Sequence, residues 1–233
     1  MGLLVPERRR GQEILDNPAV DAATRLRSIT DVTRSNQLFG GKRAAVEEIA
    51  IVIGGVTGEI SLLDVGTGLA DIPAAIRNLS RPAGAPITTI GLDEASDLLS
   101  AARGSLTHAV CGRATALPFR DSSVDIVLCS QLLHHFADAD LAPVIVELDR
   151  VARRRVVIAD LRRSWIAAAG FWLASFPLRF SPVTRHDAVV SIFRGFTAVE
   201  LHRAVVQAVG TAPSIHRRLG FRLTISWQPR RPE

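Results

Sequence analysis

An α/β fold is what this chain of 233 residues predicts: a doubly wound, mostly parallel sheet of seven strands that closes on an antiparallel hairpin. Three observations carry that expectation. Short apolar, β-branched runs alternate with helical stretches along most of the chain. One junction, Ile60 to Pro73, reads as a buried strand, a Gly-x-Gly turn and the start of a helix. The last two runs, Ser214 to Arg217 and Phe221 to Trp227, are joined by Arg218-Leu219-Gly220 with no helix between them, as in a hairpin.

Taken in order, Met1 to about Arg10 reads as a loose arm, and Glu13 to Val20 as a short helix or turn containing Pro18. Asp21 is placed to cap a helix with apolar positions Ala22, Leu26, Ile29 and Val32, broken by Ser35 to Gly41. A longer helix runs from about Lys42 to Ile53 and ends at Gly54-Gly55. Residues 1–55 are therefore expected to form an N-terminal helical cap, and residues 56–233 the main domain.

In the organising stretch, Gly66 and Gly68 permit positive φ and bring bare backbone close to a ligand above the carboxyl edge of the sheet. Asp64, at the strand tip, is an acceptor for a cationic or amine group. A dinucleotide fingerprint would carry its third glycine where this chain has Asp71. A carboxylate there repels a pyrophosphate and suits a ligand carrying a sulfonium and an ammonium. Asp71 to Leu79 reads as a helix, ended by Ser80 to Gly84. Strand two, Ile87 to Asp93, places Asp93 at its tip with Glu94 beside it. A carboxylate in that place can hold both hydroxyls of a ribose, or can simply cap the helix from Glu94 to Arg103.

Strand three is Thr107 to Cys111, and the run Gly112 to Ser130 leads through strand four. The Asp-x-Gly-x-Gly pattern of Asp64 to Gly68 resembles motif I of the class I S-adenosylmethionine (SAM) methyltransferases. Gly112-Arg113-Ala114-Thr115-Ala116-Leu117-Pro118-Phe119-Arg120-Asp121-Ser122-Ser123-Val124-Asp125-Ile126-Val127 resembles the Gly-Asp-Ala-x-x-Leu-Pro-Phe-x-Asp-x-Ser-Phe-Asp-x-Val run of the UbiE-like small-molecule group, methyltransferase type 11. The resemblance covers roughly Leu38 to Ser164. It implies a Rossmann-like fold, SAM as cofactor, and a loop after strand three that embraces adenine. It also implies a helical prelude that caps the cofactor, with Asn36 and Arg34 as candidates at the methionine end. Ser130 and Gln131, where strand four enters the active site, complete the cofactor candidates. One departure stands out. The adenine-facing Asp of the family is Arg113 here, and a guanidinium cannot accept from an amino group. Either it stacks on the ring, leaving the base to the Ala114 backbone, or it points to solvent.

Strand four ends in Cys129-Ser130-Gln131-Leu132-Leu133-His134-His135-Phe136, close to the family's Leu-His-His segment. A neutral imidazole beside the sulfonium methyl could take a proton from a phenol or enol. His134 and His135 face different ways, so at most one does this, and His135 is ranked first. Leu141 to Ala152 is an amphipathic helix with Pro143 in its first turn, closed by a solvated Arg153-Arg154-Arg155. Strand five, Val156 to Leu161, carries Asp160 at its tip, where it could orient a histidine or bind a substrate hydroxyl. The partner residues of a catechol-type magnesium site are missing, so no metal is expected. The helix Trp165 to Phe176 is apolar nearly all round, and residues 162–195 are expected to form a lid over a flat or lipophilic acceptor. Beside it, Arg185-His186-Asp187 offers His186 as a further base. A last helix starts at Thr197 and runs to Val209-Gly210.

Composition narrows the partners. The net charge of +5 is almost wholly arginine, since Lys42 is the only lysine. Those arginines are scattered, tyrosine is absent, and Phe and Trp lie mainly in one stretch, which argues against nucleic acid. Cys111 and Cys129 have neither metal spacing nor a disulfide framework. No apolar leader is visible and the longest apolar run is too short to span a bilayer, which fits the cytoplasm. The expectation is SAM-dependent O-methylation of a small aromatic or polyketide-like acceptor, as in natural-product biosynthesis, with a histidine base. C-methylation of a quinone precursor, nucleic-acid methylation, and a SAM fold without catalysis are the alternatives. Oligomeric state stays open.

Overall fold

The computed structural model describes residues 5–9, 11–17, 19–54, 56–79 and 86–229. Its sheet comprises β1 (Ile60–Val65), β2 (Ile87–Asp93), β3 (His108–Cys111), β4 (Val124–Ser130), β5 (Ala152–Leu161), β6 (Ser214–Arg218) and β7 (Arg222–Trp227). The strands lie in the order β3-β2-β1-β4-β5-β7-β6. The first five run parallel, and β7 is antiparallel to both its neighbours. The direction of winding reverses between β1 and β4, so a crevice opens above their carboxyl ends. Fold class and hairpin are as expected.

Two helices precede the sheet, α1 (Ala22–Leu38) and α2 (Gly41–Ile53). Next come α3 (Asp71–Arg77), α4 (Ser96–Ala102) and α5 (Asp138–Val151). Between β5 and β6 lie α6 (Trp165–Ser175), α7 (Pro182–Arg194) and α8 (Ala198–Val209). The twofold alternation of the strands sorts the core into two layers. Leu63, Val65, Val127, Cys129, Val156 and Ile158 meet the apolar stripes of α5 and α8. Leu62, Ile126, Leu128, Val157 and Ala159 meet Ile49 and Ile53 of α2 and Ile72 and Ile76 of α3.

Local signals explain most helix ends. The Asp21 carboxylate accepts from Thr24 N–H at 2.9 Å, as an N-cap should. Thr197 and Glu200 form a reciprocal capping box at α8. The turn between α1 and α2 uses Gly40 at φ +79°. It packs on the β6–β7 turn so closely that a Cβ at Gly220, itself at φ +72°, would stand 1.9 Å from the carbonyl oxygen of Phe39. Behind it the buried Glu48 of α2 accepts from Arg218 Nη2 (2.7 Å), Thr224 Oγ1 (2.8 Å) and Ser226 Oγ (2.9 Å), which fixes the N-terminal helices to the hairpin.

Several expectations need correction. Helix α1 does not break at Ser35 but continues to Leu38, because Ser35 and Asn36 are buried on its inner face. Glu13 to Val20 supplies one 3-10 turn, Ile14–Asp16. The arm is not loose over its described part. Arg163 Nε donates to Pro6 O at 2.7 Å, Arg9 N to Phe193 O at 3.2 Å and Arg8 Nε to Arg194 O at 2.7 Å. Helix α5 starts at Asp138, so Pro143 falls in its second turn and withholds the N–H that would bond Ala139. The arginine run opens β5 rather than closing α5, and Arg153 and Arg154 pair with Asp125 at 3.1 and 2.9 Å. Pro18, Gly55 and the expected Ser80 to Gly84 loop lie outside the described residues. Among the described residues no helix is long and apolar enough to cross a membrane.

Candidate active site

A cavity of about 530 Å³ opens above the carboxyl ends of β1, β2 and β4, with α1 and α7 along its far walls. At one end the tips of β1 and β2 and the start of α3 bring three carboxylates to one cavity. Asp64 is buried, and only one of its oxygens is satisfied, by Thr67 Oγ1 at 2.9 Å. Its Oδ1 has no partner, and neither do Asp71 Oδ2 nor Ser130 Oγ as hydrogen-bond acceptors. Burial above all, with the charges of Asp71 and Asp93 adding to it, pushes the Asp64 carboxyl up to about 7. Asp71 is also raised by burial, with Lys42 Nζ at 3.8 Å opposing. Asp93 is tied by backbone: Gly68 N–H donates to Oδ2 at 2.9 Å and Ala95 N–H to Oδ1 at 3.0 Å. It therefore fixes the glycine turn against β2 while keeping lone pairs toward the cavity.

Gly66 has φ +76°, and a Cβ there would come 2.9 Å from Leu132 Cδ2, so the turn needs glycine on both counts. Gln131 is a non-glycine residue at φ +52°, the kind of strain that collects at working sites. Asn36 joins it across Gly41, whose Cβ would meet Asn36 Oδ1 at 2.8 Å and Gln131 Nε2 at 3.0 Å. Ala114 and Glu94 also line the cavity.

At the other end stand the histidines. His134 is buried, and its Nδ1–H donates to Asp160 Oδ1 at 2.6 Å while its backbone N–H donates to Asp160 Oδ2 at 3.2 Å. That arrangement leaves Nε2 as the nitrogen available to a substrate. Burial works to raise Asp160, but the charge and hydrogen bond of His134 outweigh it, and its carboxyl ends below the ordinary range. The His135 ring lies beside it, tilted by 33° with ring centroids 4.4 Å apart. Its Nδ1 lies 3.4 Å from Asp16 Oδ1 and 3.3 Å from Arg194 Nη1. Burial opposes the charged ring, yet the Asp16 bond and the charges of Glu13 and Asp16 shift His135 upward. His135 is thus taken up in an ion cluster, and His134 is the histidine with a free edge. Glu13, His134 and His135 come near enough to share a cation. Arg194 already sits among them, 3.0 Å from Glu13 Oε1, and its charge disfavours a metal there.

Three expected site residues stand outside the cavity. Arg113 is exposed and lies 3.7 Å from Glu94, so of the two readings the solvent-facing one holds. His186 is half-exposed on the outer side of α7, bonded to Asp187 at 2.8 Å. Arg34 donates to Leu178 O at 3.0 Å and fastens α1 to the segment after α6. The sequence reading missed Glu13, Asp16, Thr67, Arg194 and Arg222, all but Arg194 lining the cavity. Thr67 could have been found as the polar residue inside the glycine turn. The others carry no local signal.

Residues 63–159 match the family model described as a methyltransferase domain. An uncharacterized methyltransferase of Schizosaccharomyces pombe is 23% identical over 150 residues, 62% of this chain and 57% of the relative, so the chain matches little more than half the length of that protein. A SAM-dependent methyltransferase from Aquifex aeolicus superposes with a TM-score of 0.58 at 14% identity, covering 88% of this chain and 98% of the other. Magnesium protoporphyrin IX methyltransferase from Synechocystis PCC 6803 with bound SAM superposes with a TM-score of 0.55 at 14% identity, covering 92% and 100%. Asp64 Oδ1, Asp71 Oδ2 and Ser130 Oγ, buried without a hydrogen bond, fit a ligand that brings a sulfonium and an ammonium. Strand order, glycine turn and acid-lined crevice agree with these likenesses: residues 63–159 match a methyltransferase domain, and the chain has the fold of the SAM-dependent methyltransferases on which it superposes.

Proposed function

We propose that the protein is a SAM-dependent methyltransferase that methylates an oxygen of a small acceptor with an aromatic or polyketide-like body, with His134 as the base. The observation that carries this reading is His134, buried and bonded to Asp160 at 2.6 Å, on the same cavity as Asp64, Asp71 and Asp93. Asp64, Asp71 and Ser130 bind the cationic end of the cofactor. Asp93 holds the ribose, and the Ala114 backbone meets the base. Asn36 and Gln131 close over the methionine end, and Gly66 and Gly68 admit the ligand to the backbone. When bound, the cofactor supplies an electrophilic methyl carbon on a positive sulfur. Asp160 would keep His134 in the tautomer with Nε2 unprotonated, so that Nε2 would take the proton from the acceptor's hydroxyl. Positioning does most of the remaining work. Residues 1–55 act as a cap and 162–195 as a lid, a division supported by the presence of α1 and α7 along the cavity.

Calorimetry with SAM and S-adenosylhomocysteine on the wild type and Asp93→Ala is the first test. Binding of both by the wild type and a large loss in the variant are expected; no binding of either removes the assignment. A phenolic acceptor screen, read by mass spectrometry, follows with His134→Ala. Retained turnover in that variant rejects histidine catalysis.

A further inference from the structure

Arg222 opens β7 and pairs with Leu161 at the carboxyl rim of β5. Its side chain is buried, with the residue only 6% exposed, and Nε is enclosed without a partner. No hydrogen bond or ion pair joins its guanidinium to another described residue. The one acid that acts on it is Asp160, through its field rather than by contact. Asp160 is already engaged elsewhere: Oδ1 accepts from His134 Nδ1 and Leu161 N, and Oδ2 accepts from His134 N. A buried cation with no counter-ion is expensive to keep unless something binds it.

Arg222 also stands at a junction. It lines the main cavity and a second one of about 310 Å³ between α6 and the β5–β7 rim. Among the described walls of this slot, the polar side chains are Arg222 and Arg162, and the rest is apolar, led by Phe39, Phe171, Phe221 and Ile166. Arg162 has its own Nε buried without a partner, and its guanidinium lies 4.9 Å over the Phe221 ring. Leu161, Phe171 and Ile192 border both cavities, so the slot continues from the space facing His134.

We propose that the slot between α6 and β7 holds the apolar body of the acceptor and that Arg222 binds a carboxylate which that acceptor carries. The planar fork of a guanidinium matches a carboxylate in two parallel hydrogen bonds, and apolar walls strengthen them. Burial pushes the Arg222 guanidinium down to about 10, with Asp160 opposing, so the group stays charged at neutral pH. The acceptor class is then an amphipathic acid: an aliphatic or aromatic body in the slot, its acidic head at the junction, and its hydroxyl toward His134. That it is the methyl acceptor rests on the proposed activity; that an anion binds at Arg222 does not.

The test titrates octanoate and octan-1-ol, without SAM, into the wild type, Arg222→Met and Gly170→Leu, with SAM titrated separately into each. Gly170 lines the slot and a Cβ there meets nothing within 4 Å, so leucine can fill it without disturbing α6. Octanoate is expected to bind the wild type at least tenfold more tightly than octanol, and both variants to lose at least tenfold for octanoate while keeping SAM affinity within twofold. Equal binding of octanoate and octanol by the wild type overturns the proposal even if Arg222→Met fails to fold. So does unchanged octanoate binding in Arg222→Met, and unchanged binding in Gly170→Leu removes the slot. Loss of SAM binding in the wild type refutes methyl transfer alone and leaves the octanoate result standing.

Discussion

The two ends of the cavity treat charge in opposite ways. At the β1–β2 rim, Asp64, Asp71 and Asp93 gather with Lys42 as the neighbouring cation, and two of the three carboxylates keep a buried oxygen without a hydrogen bond. At the β5–β7 rim the acids are spent. Asp160 serves His134, Asp187 accepts from Ile14 N and Leu15 N, and Glu13 and Asp16 engage Arg194. What is left over there among the described residues is cationic: Arg222, buried, and Arg162 beside it each keep an Nε without a hydrogen bond. Since an unpaired buried charge costs several kcal/mol, roughly 3–5 when a partner is removed, a fold that keeps one of each sign at opposite ends is prepared for ligands of opposite sign. A cationic donor and an anionic acceptor would face each other between them.

Asp64→Asn should break the contrast most severely, lowering SAM affinity by about 100-fold, on the order of 3 kcal/mol. The same change has a second consequence. The folded-state value of Asp64, about 7, lies above its ordinary 3.8, so the carboxyl favours the fold while protonated. That contribution is complete below the ordinary value and is lost as pH rises through about 7. Unliganded Asp64→Asn is therefore expected to be more stable than wild type at pH 8, by on the order of 1–3 kcal/mol, and to match it near pH 4. Thermal melts at both pH values decide, and a variant less stable at pH 8 would refute the account of this rim.

Next in size is Asp160→Asn at the opposite rim. Without the acid that orients His134, turnover should fall by about 10- to 100-fold with SAM affinity unchanged and the pH profile of kcat displaced. A uniform loss of SAM binding instead would reduce Asp160 to a structural residue. Gly220→Ala tests the frame on which that rim stands. The added Cβ, 1.9 Å from Phe39 O at φ +72°, forces the α1–α2 turn off the hairpin. A stability loss of about 2–4 kcal/mol in urea denaturation is expected. Least of all, Arg113→Ala should leave SAM affinity within twofold, because that guanidinium faces solvent beside Glu94; a large loss would restore the stacking role.

The donor rim was the more readable end because its residues sit on consecutive strand tips. Asp64, Gly66, Gly68 and Asp71 fall within eight positions, and Asp93 follows at the next tip. The strand ladder brings such residues together almost by construction. Asp160 was legible in the same way, near the tip of β5, whereas the turn after β4 offered two histidines, with His135 ranked first, and only packing separated them. His186 misled because a helix shows different residues to its two sides, and the trio Arg185-His186-Asp187 spans nearly a full turn. Asp187, not His186, points inward. Arg113 was read with both outcomes open, since a loop residue's direction is not written in its neighbours.

By itself, then, the sequence determined where strands begin and end, which turn must be glycine, and which acids lie at the carboxyl edge, because period, capping and turn chemistry are local. Only the tertiary structure decided which charges are spent and which remain open. Arg194 reaches Glu13 across 181 positions, and among the described residues Arg222 makes no ion pair, while Asp160, the acid whose field it feels, bonds His134. A charge's partner is settled by packing between distant elements, and with 28 basic residues in the chain no local pattern marks Arg222 as one that is buried without a counter-ion among the described residues.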